Sequence, residues 1–183
     1  MRTALAAAFA LLASAHPALA QSPKPRPEIG IRGGIMRVTE KNDFGSQSYT
    51  VMALPAGPPF APGGVHLTLF MSPRFAIEPE LGIVRISDEG SSFMLTTAAL
   101  QFNGFLGADA NKSPYLFAQV ATIREDEDGG GDSDNAFGVG AGYRKVYRES
   151  IALRYELRYR RWSRPFGSAN EFGLLIGFGA VIR

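Results

Sequence analysis

The sequence predicts an all-β protein, an eight-stranded antiparallel up-and-down β-barrel that spans a membrane. Three observations predict it. The N-terminus reads as an export signal, the C-terminal third alternates strictly between apolar and polar residues, and 21 glycines with 12 prolines argue against a helical chain. After the signal no segment stays apolar for about 18 residues, so the chain has no candidate transmembrane helix.

Residues 1–20 carry the address. Arg2 supplies a positive start, Ala4 to Ala13 an uncharged apolar run, and Ala18-Leu19-Ala20 the small residues of a cleavage site before Gln21. The apolar run is shorter than the roughly 20 residues a spanning helix needs. The chain has no cysteine, which excludes a lipidated N-terminus, a disulfide framework and a thiolate metal site. Residues 21–27, Gln-Ser-Pro-Lys-Pro-Arg-Pro, read as a stiff extended spacer. Residues 28–183 form one domain. Without Arg2 the 19 basic residues become 18, against 17 acidic ones, and a balance near neutrality argues against a nucleic-acid partner.

The clearest strand is 151–160. Ile151, Leu153, Tyr155, Leu157 and Tyr159 alternate with Ala152, Arg154, Glu156, Arg158 and Arg160. Period 2 puts the first set on one face of a strand and the second on the other. In 171–183, Phe172, Leu174, Ile176, Phe178, Ala180 and Ile182 alternate with Glu171, Gly173, Leu175, Gly177, Gly179, Val181 and Arg183. That length exceeds an ordinary globular strand and matches a tilted membrane strand of about 9–11 residues. Large apolar side chains then face lipid, and charges and glycines face a narrow interior.

Earlier strands follow the same pattern. Residues 136–144 set Phe137, Val139, Ala141 and Tyr143 against three glycines and Arg144. Residues 75–86 set Phe75, Ile77, Pro79, Leu81 and Ile83 against Ala76, Glu78, Glu80, Gly82 and Val84, with a bulge expected at Pro79, which cannot donate to a ladder. Residues 28–38 set Ile29, Ile31 and Ile35 against Gly30, Arg32 and Gly34. Residues 93–106 place Thr97, Gln101 and Asn103 inward, while 65–71 and 115–123 are strands of ambiguous face. The total is eight.

Short turns are expected at 72–74, 107–114 and 145–150, on the side of the chain ends. Longer loops are expected at 39–64, 87–92, 124–135 and 161–170, on the other side. Residues 48–54 have strand propensity and are read as a hairpin arm above the membrane.

At this point the chain resembles the OmpA/OmpX-like outer-membrane β-barrel family. The resemblance is carried by Phe75-Ala76-Ile77-Glu78-Pro79-Glu80-Leu81-Gly82, by Phe137-Gly138-Val139-Gly140-Ala141-Gly142-Tyr143 and by the last strand. There Glu171-x-Gly173-x-x-Ile176-x-Phe178 looks like the signal that hands such barrels to the assembly machinery. The resemblance implies residence in a bacterial outer membrane and contact with its lipid and lipopolysaccharide. Unlike in the longest relatives, no peptidoglycan-binding domain is expected after the barrel.

The candidate site is the charged interior: Arg32, Glu78, Glu80, Arg144, Arg154, Glu156, Arg158, Arg160 and Glu171. Charges removed from water persist when paired, and eight strands leave room for little beyond side chains. A salt-bridged plug is therefore favoured over a selective pore. Glu78 and Glu80 are expected to meet Arg154, Arg158 or Arg32, and Glu156 to meet Arg144 or Arg160. Glycines 138, 140, 142, 173, 177 and 179 are expected to make room for these side chains on the facing wall.

His66, the one histidine after the signal, shares a face with Thr68. No serine stands beside them, so a nucleophile–base arrangement is not indicated and a rim position is expected. The acidic run 124–135 holds six carboxylates around three glycines. It is read as a solvated, disordered loop with at most weak affinity for divalent cations. No cofactor or structural metal is expected. The reading is a non-enzymatic envelope protein that displays its loops. A narrow channel for small or hydrophobic molecules comes second and a lipid A-modifying enzyme third.

Overall fold

The computed structural model describes residues 24–42, 45–53, 64–88, 91–127, 130–164 and 167–182. The signal segment 1–20 and the first part of the spacer lie outside the described residues. Nine strands follow in order: β1 (Glu28–Asn42), β2 (Gly45–Ala53), β3 (Val65–Ser72), β4 (Phe75–Asp88), β5 (Ser91–Phe105), β6 (Lys112–Glu127), β7 (Gly130–Tyr147), β8 (Ile151–Arg164) and β9 (Gly167–Val181). All pairings are antiparallel, and β1 closes the sheet on β9 from Glu28↔Val181 to Lys41↔Ser168.

Nine strands make eight wall positions because β2 and β3 share one. β1 has 15 residues and β3 only 8, so β3 covers the lower part of β1, from Glu28 to Ile31, and β2 covers Gly34 to Asn42. The arm expected at 48–54 is β2. It does not stand wholly above the wall, because its Ala53 pairs with Gly34, which also pairs with Leu175 of β9. An even number of wall positions leaves both described chain ends at one end of the barrel.

Three expected loops are replaced by long hairpins. β4 and β5 pair out to Asp88↔Ser91, β6 and β7 to Glu127↔Gly130, and β8 and β9 to Arg164↔Gly167. The acidic run is thus a strand extension and not a disordered loop, because ladder pairing uses backbone groups that charge and glycine leave intact. Between the two strands the sequence reads Asp128-Gly129, which lies outside the described residues and is a dipeptide that favours tight hairpins. β7 has 18 residues. At about 3.4 Å per residue and a 45° tilt it rises ~40 Å, well beyond an apolar band of ~25 Å. The side chains at 125–132 lie outside the described residues, and with them the expected cation site.

At the end with the termini the connections are short. Ser150 N–H donates to Tyr147 O at 3.1 Å, and the two central residues between them, Arg148 and Glu149, have φ of 49° and 57°. That is the left-handed pair a tight β-hairpin turn requires, here built without glycine.

The bulge expected at Pro79 is absent. Pro79 pairs in unbroken register with Leu100, and the β3–β4 register is the same on both sides of it. The irregularity falls instead between Phe70 and Ser72.

Alternation sorts the wall. Leu174 is 60 % exposed, Phe178 55 % and Ile151 55 %, and the same outward belt holds Ile29, Ile31, Leu81, Leu116, Val139, Leu157 and Ile176. Tyr143, Tyr147 and Tyr155 stand in this belt toward the termini, and Phe137, Tyr159 and Phe172 toward the hairpins. An apolar belt flanked by aromatic residues is the outer surface of a membrane barrel.

Candidate functional site, the charged lumen

Two apolar clusters stand inside the barrel, one toward each end. Toward the termini Phe70, Ala76, Phe105, Ala110, Tyr115 and Phe117 pack together. Their rings form a chain, with Phe70 to Phe105 at 5.5 Å, Phe105 to Tyr115 at 5.2 Å and Tyr115 to Phe117 at 6.2 Å between centroids. Toward the hairpins Val38, Ala121, Ile123, Ala136, Trp162 and Ala169 pack together, with Tyr49 of β2 against them.

The charge lies between. Arg32, Glu78, Arg144, Arg154, Glu156, Arg158, Arg160 and Glu171 are each at most 2 % exposed, and Glu80 is 6 % exposed. These nine came from the alternation, and the structure adds Glu28, fully buried at the first position of β1. Glu28 shares the parity of Arg32, which was the available signal.

Arg144 reaches Glu28 with both Nε, at 3.0 Å, and Nη2, at 2.9 Å, and gives Nη1 to the backbone oxygen of Ala110. Its guanidinium also lies 5.0 Å from the centre of the Phe70 ring, so the lower apolar cluster packs directly on this layer. Arg154 bridges Glu28, at 3.0 Å, and Glu78, and donates to Thr68 Oγ1 at 2.7 Å. Arg32 meets Glu78, Glu80 at 3.2 Å and Glu156 at 3.2 Å, and donates to Gln101 at 3.2 Å. Glu156 thus pairs with Arg32 and accepts from Tyr115, rather than meeting Arg144 or Arg160 as expected. Those two arginines lie elsewhere: Arg144 is on Glu28, and Arg160 is on Glu171.

The glycines do make room, three of the six for charged side chains and three for neighbours of a different kind. A Cβ on Gly142 would come 2.7 Å from Tyr115 Oη, one on Gly173 2.7 Å from Met36 Cγ, and one on Gly140 would strike the Phe117 ring. Gly138, Gly177 and Gly179 border charged residues, Arg160, Arg154 and Glu28.

His66 is not at the rim. It is 1 % exposed inside the lumen, its ring against Gly30 and its Nε2 3.8 Å from Glu28. Thr68 Oγ1 donates to Glu78 at 2.6 Å and accepts from Arg154, so its hydroxyl serves the ion network. The mixed faces of Val65-His66-Leu67-Thr68 hid both residues. Thr97, Gln101 and Asn103 are buried inward as read.

The structure of Neisserial surface protein A (NspA) is similar, with a TM-score of 0.56 and 11 % identity, over 84 % of this chain and 97 % of that one. This is the fold of a small outer-membrane β-barrel. The barrel domain of Pseudomonas aeruginosa OprF aligns with a TM-score of 0.45 and 14 % identity, over 86 % of this chain and 99 % of that one. The outer membrane protein AlkL aligns at 0.44 and 14 %, over 91 % and 92 %. No protein-family model matches the chain, and no curated protein matches it in sequence.

Proposed function

We propose that the protein is a non-enzymatic barrel of the bacterial outer membrane that stabilises the envelope and presents its long hairpins outside the cell. One observation carries this reading. The lumen is occupied across its width by ten charged side chains, paired among themselves and enclosed between two apolar clusters. Such an interior makes the wall rigid and leaves the hairpins as the parts able to meet a partner. Outer-membrane lipid and lipopolysaccharide would contact the apolar belt, and the barrel assembly machinery would insert it.

An epitope placed between Asp128 and Gly129 tests the reading on intact cells. The proposal expects antibody binding without permeabilisation and sensitivity of a deletion strain to detergent. It also expects unchanged uptake of small solutes and unchanged lipid A masses. Slower solute uptake in the deletion strain would favour a channel, and altered lipid A would favour an enzyme.

A further inference from the structure

The ten lumen charges balance, five arginines against five glutamates, but they are not evenly distributed. Arg32, Arg144 and Arg154 share the layers nearer the termini with Glu28, Glu78, Glu80 and Glu156. Toward the hairpins Arg158 and Arg160 share one carboxylate, Glu171. Glu171 accepts from Arg158 Nη2 at 3.3 Å, from Arg160 Nε at 3.0 Å and Nη2 at 2.6 Å, and from Trp162 Nε1 at 3.3 Å. Its acceptor sites are then filled.

Three donors remain. Arg158 Nε and Nη1 and Arg160 Nη1 are buried and make no hydrogen bond among the described residues. Both residues are fully buried. Glu80 of the neighbouring layer is itself held by Arg32 at 3.2 Å. Arg158 Nη2 has as its other contact Met36 Sδ at 3.5 Å, a weak acceptor. Beside Arg160 the wall is Gly138, and beside it on β6 stands Gln119, so no further acid borders the pair on that side.

A buried guanidinium with free N–H groups and an uncompensated charge is costly unless an anion or water completes it. The shortage here is of charge, two guanidiniums to one carboxylate, which the neutral acceptor Gln119 Oε1 does not make good, and it favours an anion. We propose that Arg158 and Arg160 form a binding site for one small monovalent anion of halide size, inside the barrel against the free Nε and Nη1 of Arg158 and Nη1 of Arg160. The anion completes the hairpin-side layer of the network as a structural ion. This inference rests on the closed, network-filled lumen of the proposed function, but its readout is halide occupancy and not permeation, so either can fail without the other.

The test uses the whole mature protein, refolded into detergent micelles in sodium bromide or in sodium gluconate at equal ionic strength. The unfolding midpoint of wild type should rise with bromide concentration and saturate, and crystals grown in bromide should show one anomalous peak within hydrogen-bond distance of Arg158 and Arg160. Arg158→Met should remove the bromide dependence, and Arg161→Met, at an exposed position, should keep it. If Arg158→Met does not fold, the wild-type anomalous peak alone decides the matter. Equal midpoints in bromide and gluconate, or ordered water at that place with no anomalous signal, would overturn the proposal.

Discussion

Arg154 on β8 donates to Glu78 on β4, four wall positions away on the opposite side of the barrel. The pair spans the lumen, and Arg154 also holds Glu28 on β1, so one guanidinium ties three walls. Removing one member leaves the others buried without compensation. Glu78→Ala or Arg154→Leu should each cost about 3–5 kcal/mol. The double variant should cost less than the sum by roughly 0.5–3 kcal/mol, as coupled neighbours do. Urea unfolding in lipid vesicles measures all three, and additive effects would show that the two side chains act separately.

The outward belt makes the opposite prediction for a charge. Leu157 lies in the middle of β8 and is 45 % exposed. Leu157→Arg near the bilayer midplane should cost roughly 2–4 kcal/mol. The same unfolding measurement checks it, and wild-type stability in the variant would reverse the assignment of faces.

These two predictions rest on what the alternation made legible. Period 2 in 151–160 and 171–183 separates Arg154, Glu156, Arg158, Arg160 and Glu171 from the lipid-facing residues, because a strand has two faces and lipid accepts no charge. Partners were not legible. Glu156 meets Arg32 and Tyr115 because of where β1 and β6 stand across the lumen, and strand order and stagger set that distance. The long β6–β7 hairpin was hidden because charge and glycine read as loop, although Asp128-Gly129 was a turn signal. Glu28 was missed because a strand's first residue has no alternation before it.

The turn between β7 and β8 holds two non-glycine residues at left-handed φ. Such positions cost of order 1 kcal/mol or more. Replacing Arg148-Glu149 with Asn-Gly should raise stability by about 1 kcal/mol. A thermal melt would show the gain, and a loss would mean that side-chain contacts of Arg148 or Glu149 outweigh the backbone strain.

Gly142 gives the Tyr115 ring its place beside Glu156. Gly142→Ala should cost about 1–3 kcal/mol by overpacking. In a Tyr115→Leu background the added cost should shrink, because the ring it strikes is gone.

The β6–β7 hairpin beyond Arg124 should be dispensable for the barrel, since loop tips tolerate replacement. Substituting 125–134 with a short Gly/Ser turn should leave the folded, protease-resistant core intact. Loss of that core would show that the extension takes part in assembly.

Conductance tests the closed lumen most directly. The purified protein, reconstituted in planar bilayers, should show no large, stable, ion-selective current. Arg158→Ala, which loosens the hairpin-side layer, should admit brief small currents where wild type stays silent. Stable, large, ion-selective conductance from the wild-type protein would contradict the account, because a lumen filled by paired charges between two apolar clusters cannot carry it.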